Sequence, residues 1–260
     1  MTRPRLLDLY CAAGGASVGY HRAGFDVTGV DINPQPDYPY QFHQGDALTY
    51  LAKHGQDFDA IHASPPCTEH TALTTNRPDT TGTAHLLHDT INALVEVPHG
   101  MWVVENVMGA TMPTDLVLCG NMFRLRVYRH RRFTIGPGLP LILTPEHPPH
   151  RVPAARHQRQ QAWDQGMHMT VVGKYGPGAH QAKMSEAMGI DWIKDETLAQ
   201  AIPPAYTQFI GEQLIDHIRS TSRGSGSQEA EVVKVNVNQT VSPYGADLSN
   251  QPLNCQIVDV

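Results

Sequence analysis

Short apolar runs alternate with amphipathic stretches along the first half of the chain. Runs of this length that end at glycine, proline or polar residues are typical of buried strands. They predict strands at RLLDLY (5–10), DVTGVDI (26–32), FDAIHASPP (58–66) and MWVVENV (101–107). A glycine-bearing turn enters a helix within CAAGGASVGYHRAGF, and HLLHDTINALVEV has helical periodicity. Strands alternating with helices predict an α/β fold, with a parallel sheet and crossover helices.

The second half has fewer regular patterns. We expect a strand near HRRFTIG (130–136), then long loops, and a short strand and turn at MTVVGKYG (169–176). A brief helix is predicted at KMSEAMG (183–189), and a longer amphipathic helix at AYTQFIGEQLIDHIRS (205–220), entered from two prolines. After Ser220, TSRGSGSQ is typical of a flexible linker, and the polar sequence beyond it predicts a peripheral tail.

Composition and charge narrow the class of protein. The chain has 260 residues, 40% of them hydrophobic and 17% charged, which indicates a globular protein with a sizeable core. The net charge of −6 excludes a molecule that is basic overall, so nucleic-acid binding would need a local patch. Such a patch is present in the sequence, because residues 121–160 carry eight arginines and a single acid, Glu146.

The chain has no apolar run long enough for a membrane helix, and its start lacks the pattern of a signal peptide. We therefore expect no membrane association and a cytoplasmic location, and the many arginines and few lysines favour a bacterial or phage source. The four cysteines, Cys11, Cys67, Cys119 and Cys255, form no C-x-x-C pair. Neither a zinc cluster nor a disulfide framework is predicted from them.

Three features of the first strands favour a nucleotide-like ligand. Gly14 and Gly15 lie where a strand turns into a helix, so the backbone there can approach a ligand beside a helix N-terminus. Asp31 ends the second strand, where an acid can accept both hydroxyls of a ribose, and Asp46 follows in QGDAL. Because G-x-G-x-x-G is absent, an adenosine-containing ligand without a diphosphate fits best. Taken one at a time, these features have simpler explanations. Gly14 and Gly15 could form an ordinary turn, and Asp31 and Asp46 could be helix caps.

Cys67 follows the third predicted strand, directly after Pro65 and Pro66. Ligands of open α/β sheets bind beyond the carboxyl ends of the strands, and two prolines stiffen the loop that displays the thiol there. A nucleophile needs such presentation, whereas a buried apolar filler, the usual role of a lone cysteine, does not.

The next predicted strand ends in Glu105 and Asn106, at the same edge of the sheet as Cys67. Burial would raise the pKa of Glu105 and make it a usable acid near neutrality; a surface residue or helix cap is the alternative. Arg129 and Arg131 are two positions apart and would share a face of a strand, where they could form a solvated or a phosphate-binding basic face.

In chain order, these motifs resemble those of the DNA cytosine-5 methyltransferase family over roughly residues 5 to 215. The segments that carry the resemblance are DLYCAAGGASVGYHRAGF, Asp31, GD at 45–46, SPPC at 64–67, ENV at 105–107, RHRRF at 129–133 and AQAIPPAYTQFIGEQL. The resemblance implies a Rossmann-like S-adenosylmethionine-dependent methyltransferase sheet with helices on both faces, and a small irregular target-recognition region.

The resemblance also assigns roles. It implies S-adenosyl-L-methionine as cofactor, no metal, and duplex DNA with a flipped cytosine as partner. The residues it implies for catalysis are Cys67, Glu105, Arg131 and Arg129. Those it implies for cofactor binding are Tyr10, Cys11, Ala13, Gly14, Gly15, Asp31, Ile32, Asp46, Ala47 and Pro66.

The implied mechanism is covalent. The Cys67 thiolate adds to C6 of cytosine, Glu105 hydrogen-bonds the N3 edge, and C5 accepts the methyl group before Cys67 is released. A base in a duplex must first be flipped out of the stack, at a cost of about a few kcal/mol.

Several positions depart from the family pattern. Thr68 to Thr71 replace the usual Gln and aromatic–Ser pair, Val127 replaces a Gln, and Ala199-Gln200 replace Gly-Asn. Only about fifty residues separate Arg131 from the MSEAMG segment, which is short for sequence-specific readout of DNA. We expect a reduced recognition domain with little specificity or a very short target.

The resemblance divides the chain into four parts. A catalytic and cofactor-binding core covers 1–135, a reduced target-recognition region 136–183, a C-terminal return to the core 184–220, and a linker and tail 221–260. Three alternatives to the DNA enzyme stay open. They are an RNA (tRNA) cytosine-5 methyltransferase, an enzyme that transfers another group or uses an unusual pyrimidine, and a catalytically silent nucleic-acid-binding protein.

Overall fold

A computed structural model describes residues 2–66, 85–98, 100–139, 142–151, 163–171, 179–193 and 195–224. Cys67, the Thr68–Thr71 segment, Arg156, Arg159 and the predicted tail after residue 224 lie outside the described residues.

Seven strands form one sheet in the order β3-β2-β1-β4-β5-β7-β6. The strands are β1 (Arg5–Leu9), β2 (Asp26–Asp31), β3 (Gln41–Gln44), β4 (Ala60–Ala63), β5 (Trp102–Asn106), β6 (Leu116–Leu118) and β7 (Arg131–Ile135). The first five strands in that order are parallel, as predicted, but β7 is antiparallel to both β5 and β6. The sheet is therefore mixed, and the prediction of a parallel sheet is wrong for this edge.

Within the described residues, five complete helices accompany the sheet. They are α1 (Gly15–Ala23), α2 (Ala47–His54), α3 (Leu86–Val95), α4 (Ala179–Met188) and α5 (Pro204–Gly224). Local chemistry sets their ends: Asp46 caps the start of α2, Pro204 occupies the first position of α5, and Gly24 ends α1 with φ 120°.

Alternating side chains give the sheet two buried faces. Leu6, Val103 and Phe133 pack on one face with Tyr20 of α1 and Tyr206 of α5. Strand residues on the other face, which include Leu7, Ile61, Trp102 and Val104, pack with Leu51 of α2 and Leu94 of α3. The predicted Rossmann-like α/β arrangement with helices on both faces is confirmed.

A third apolar cluster lies in the second half of the chain. Trp163, Met169, Val171 and Met184 belong to it, together with Val127, which forms an isolated parallel bridge with Met169. The cluster gives the region after the sheet a core of its own. Helix α4 crosses the boundary that the sequence placed between residues 183 and 184.

Among the strands and α-helices that the structure describes, three were not predicted from the sequence: β3, β6 and α2. The exposed polar pattern of β3 (QFHQ) and the three-residue length of β6 give each a weak periodic signal. Helix α5 extends to Gly224, four residues beyond the point where the sequence predicted a linker. Among the described residues, no helix is long and apolar enough to cross a membrane.

Candidate active site

Most of the predicted site residues that the structure describes gather at the carboxyl ends of parallel strands. Tyr10 follows β1, Asp31 ends β2, Ser64 to Pro66 follow β4, and Glu105 with Asn106 ends β5. Open α/β sheets bind their ligands at this edge.

Asp31 fixes the shape of the loop between β1 and α1. Its Oδ2 accepts a hydrogen bond from the Ala12 backbone N–H at 3.0 Å, and its Oδ1 accepts one from Asn33 at 2.9 Å. The loop is strained, since the φ of Tyr10 is 60° and that of Ala12 is 42°. The carboxylate is half-buried, and each oxygen keeps a further lone pair for a ligand hydroxyl.

The two glycines of this loop serve different purposes. Gly14 has a φ of 84°, which only glycine adopts at little cost. A Cβ on Gly15 would lie 2.6 Å from the Ile202 carbonyl oxygen. Gly15 is therefore required by the close approach of the segment before α5, whereas the sequence had assigned both glycines to the approach of a ligand.

The remaining predicted cofactor residues differ in exposure. Ile32, next to Asp31, is 67% exposed, whereas Cys11, Ala13 and Ala47 are buried. The Ala13 carbonyl accepts a hydrogen bond from Trp192 Nε1 at 2.9 Å, and Tyr10 Oη lies 2.8 Å from Thr90 Oγ1.

An exposed branched side chain beside a half-buried carboxylate fits the flat base and the ribose of an adenosine-containing cofactor. Asp46 is exposed, and its Oδ1 accepts a hydrogen bond from Thr49 N–H at 2.8 Å. This contact is the helix cap that the sequence left open as the alternative.

The proline loop is tied to its neighbours on both sides. Asn106 Nδ2 donates to the Pro65 carbonyl oxygen at 3.1 Å, and Ser64 Oγ donates to the Tyr10 carbonyl at 3.3 Å. Pro65 is buried and Pro66 is exposed, so the chain leaves the sheet edge at Pro66, one residue before Cys67.

Glu105 is 6% exposed and forms an ion pair with Arg131, whose Nε lies 2.7 Å from Glu105 Oε1. Arg131 begins β7, which pairs with β5 and brings the guanidinium beside the carboxyl. Burial raises the pKa of Glu105, and the guanidinium groups of Arg131 and Arg129 offset part of that rise. The expected raised pKa is therefore found, with burial as its main cause.

Arg129 lies before β7 begins, so the predicted strand face shared with Arg131 does not include it. Its buried guanidinium donates to the Val171 carbonyl at 3.1 Å and to the Ala199 carbonyl at 2.8 Å. Tyr206 Oη donates to the Arg129 carbonyl at 2.6 Å. Arg129 thus connects three segments of the chain and reaches Glu105 through its charge.

Two buried polar groups beneath the site were missed by the sequence analysis. Asp8 is fully buried, accepts a hydrogen bond from Ser17 Oγ, and has a pKa raised by burial to about 7. His62 is also fully buried, its Nδ1 lies 3.1 Å from Tyr20 Oη, and burial lowers its pKa to about 3. The available signal was a polar residue inside each apolar strand, RLLDL and AIHA.

A second group of chemically active side chains lies beside β6 and β7. Cys119, His130, His147 and His150 place one thiol sulfur and three imidazole nitrogens within 4.8 Å of one another. The prediction that no zinc cluster is present rested on the absence of paired cysteines. That criterion overlooks a metal site composed mainly of histidines. The segment EHPPH (146–150) was the signal that could have revealed it.

Comparison with known proteins adds one relative in sequence and several in structure. No family model matches the chain. The type II methyltransferase M.XorII of Xanthomonas oryzae pv. oryzae is 32% identical over 128 residues, covering 43% of this chain and 30% of that protein. The chain thus spans less than a third of the length of this relative.

Solved structures share the fold. A candidate DNA modification methyltransferase encoded within an E. coli prophage has a TM-score of 0.58 at 13% identity, covering 83% of this chain and 99% of that chain. The Dnmt2 methyltransferase of S. pombe has a TM-score of 0.53 at 14% identity, covering 84% and 99%. At these identities the likeness establishes the fold.

The relative in sequence is a type II methyltransferase, and the solved structures that share the fold include a candidate DNA modification methyltransferase and a Dnmt2 methyltransferase.

Proposed function

We propose that this protein transfers a methyl group from S-adenosylmethionine to C5 of cytosine in DNA, through a covalent bond between Cys67 and C6. The observation that carries the proposal is the buried Glu105–Arg131 ion pair, together with the Asn106 hydrogen bond that ties its strand to the proline loop before Cys67. An acid of raised pKa and a stiff loop leading to a thiol suit addition to a pyrimidine ring.

In the proposed reaction, Cys67 first adds to the cytosine ring and is eliminated again after methyl transfer. The Cys67 thiolate donates an electron pair to C6, the C5–C6 π bond breaks, and the displaced electrons move toward N3. Glu105 in its protonated form donates a hydrogen bond to N3 and stabilises the charge that develops there. C5 becomes an enamine carbon that can accept a methyl cation equivalent. Loss of the C5 proton to a base then restores the C5–C6 double bond and expels the thiolate.

Arg131 holds Glu105 in place throughout these reaction steps. Its Nε contacts one carboxyl oxygen and leaves the other for the base. The guanidinium also limits how far burial raises the pKa of Glu105.

The cofactor would lie along the loop after β1 and the end of β2. Asp31 would accept the ribose hydroxyls, Ile32 would cover one face of the adenine, and Gly14 would pass under the amino-acid part. When bound, S-adenosylmethionine supplies an electrophilic methyl group. Trp192 and Asp31 keep the loop in shape before the cofactor arrives, which lowers the entropic cost of binding.

DNA is the proposed substrate because the sequence relative is a type II methyltransferase and a structural relative is described as a DNA modification methyltransferase. The arginine-rich residues 121–160 supply positive charge for phosphate contacts on a chain of net charge −6. The proposed setting is the cytoplasm of a bacterial or phage-infected cell.

The test is methyl transfer from labelled S-adenosylmethionine to duplex DNA, single-stranded DNA and transfer RNA, followed by nucleoside mass spectrometry. We expect 5-methylcytosine in duplex DNA, and none with the Cys67→Ser variant. Product in transfer RNA alone would overturn the choice of DNA. Methylation at N4 of cytosine or N6 of adenine would overturn the C5 chemistry, and no transfer to any nucleic acid would overturn the enzyme.

A further inference from the structure

Four side chains outside the proposed methyl-transfer site converge at the edge of the sheet formed by β6 and β7. Cys119 Sγ lies 2.9 Å from His150 Nε2, and His130 Nε2 lies 3.2 Å from His147 Nε2. All four ligand-capable atoms fall within 4.8 Å of one another.

These side chains come from three separate segments. Cys119 follows β6, His130 immediately precedes β7, and His147 and His150 lie on a loop in which Pro148 and Pro149 stand between them. Asn121 Nδ2 donates to the carbonyls of both prolines, at 2.9 and 3.0 Å, and fixes the loop against the segment after Cys119. Contacts to the backbone of this loop therefore bring the four side chains together.

Apolar packing does not account for this arrangement. His130 and His147 are stacked with ring centroids 5.3 Å apart, and their ε-nitrogens face each other. Two facing nitrogens at that distance need either a shared proton or a shared cation between them.

We propose that Cys119, His130, His147 and His150 bind one Zn²⁺ ion in a closed, four-coordinate site. In a tetrahedral zinc site, Zn–N bonds of about 2.0–2.1 Å and a Zn–S bond of about 2.3 Å place the ligand atoms roughly 3.4–3.6 Å apart. The observed atoms lie between 2.9 Å and at most 4.8 Å apart, so the closest pair must open by about 0.6 Å and the farthest must close by at most about 1.4 Å.

The chemistry of the four ligand atoms favours zinc over other divalent ions. One thiolate with three imidazoles suits a borderline-soft ion that accepts tetrahedral geometry, and disfavours Mg²⁺ and Ca²⁺, which prefer oxygen ligands. On binding, the Cys119 S–H bond breaks, its proton passes to solvent, and a sulfur–zinc bond forms. With four protein ligands the site leaves no position for substrate, so its role is structural.

The position of the site indicates which part of the protein a bound zinc ion would stabilise. His130 lies between Arg129, which bonds the Val171 and Ala199 carbonyls, and Arg131, which pairs with Glu105. A zinc ion there would fasten the loop of residues 142–151 to the start of β7. It would thereby stabilise the arginine segment without taking part in methyl transfer.

The proposal is tested on the full chain with Zn²⁺ and Co²⁺ as probes. Protein stripped with a chelator and dialysed is titrated with each ion, and bound zinc is counted by mass spectrometry of the metal. We expect one zinc per chain, and with Co²⁺ the visible bands of a tetrahedral site plus a thiolate-to-cobalt charge-transfer band. Cys119→Ser should remove the charge-transfer band alone.

His147→Gln is the second variant, because His147 is exposed and its replacement should leave the fold intact. It should weaken zinc binding by more than about 100-fold, the upper end of what loss of an outer-shell partner costs. His54→Gln, on α2, is the matched control and should bind zinc as the natural sequence does. Folded protein that binds no stoichiometric zinc, or a His147→Gln variant with undiminished affinity, would overturn the site.

Discussion

Asn106 Nδ2 donates a buried hydrogen bond to the Pro65 carbonyl oxygen at 3.1 Å. Asn106 ends β5, and Pro65 follows the neighbouring parallel strand β4, whose Ala63 pairs with Val104 of β5. The bond therefore couples the loop that leads to Cys67 to the strand that carries Glu105. In the proposed mechanism the nucleophile and the acid act on one ring, which requires a fixed separation between them.

Asn106→Asp should disrupt that coupling. The carboxylate can still accept from the Val107 N–H, as Asn106 Oδ1 does at 2.8 Å, but it cannot donate to Pro65. We expect a loss of about 1–3 kcal/mol in the free energy of unfolding and a fall in kcat with little change in KM for the cofactor. Urea denaturation and methyl-transfer kinetics measure both. Asn92→Asp, on the exposed surface of α3, should change neither.

Asp8→Asn should change how stability depends on pH. The unfolded chain releases the Asp8 proton near pH 4, whereas the folded protein holds it to about pH 7. The folded state therefore binds more protons between these values, and stability falls as pH rises through that window.

Asparagine removes that ionisation. At pH 8 the Asp8→Asn variant should gain up to about 4 kcal/mol in unfolding free energy relative to the natural sequence, and below pH 4 the gain should vanish. Denaturation curves at several pH values measure the difference. Asp37→Asn, an exposed carboxyl, is the control, and an equal pH slope for both variants would contradict the assignment.

The fold was largely predictable because its signal is local. Apolar runs such as RLLDL and WVVEN become β1 and β5, and HLLHDTINALV contains α3. The reversed direction of β7 was not predictable, because the pairing of Glu105 with Phe133 is a contact between distant segments. Periodicity describes one element at a time and carries no information on which way a strand enters the sheet.

The candidate site was predictable only in part. The residue types at strand ends indicated Asp31 and Glu105, and the structure brings the latter to Arg131. The tie from Asn106 to Pro65 and the carbonyl contacts of Arg129 depend on packing between segments 41 or more residues apart. The histidine cluster was overlooked for the same reason, since its members span residues 119 to 150.

Substitutions at Ile32 and Asp31 should distinguish the effect on cofactor binding from the effect on the stability of the loop. Ile32→Ser removes an exposed side chain, so we expect weaker cofactor binding, by about tenfold if 1.4 kcal/mol of contact is lost, with an unchanged melting temperature. Asp31→Ala also removes the hydrogen bonds from Ala12 and Asn33, and should lower both affinity and melting temperature. Calorimetric titration with S-adenosylmethionine and thermal denaturation measure the two effects.

Arg129→Lys and Arg131→Lys should differ in what they disturb. Lysine at 129 cannot bond the Val171 and Ala199 carbonyls together, so we expect a loss of about 2–4 kcal/mol in unfolding free energy. Lysine at 131 keeps a charge near Glu105 but loses the guanidinium geometry, so kcat should fall more than stability. The reverse order of effects would contradict the roles assigned to the two arginines.

Covalent trapping on a 5-fluorocytosine oligonucleotide tests the central claim most directly. Fluorine at C5 cannot leave as a proton does, so the Cys67–C6 bond should persist after methyl transfer. With duplex DNA and S-adenosylmethionine we expect a denaturation-resistant complex, with the oligonucleotide attached at Cys67 in peptide mass spectra and no complex with Cys67→Ser. An active enzyme that forms no adduct, or one attached at another residue, would contradict the account.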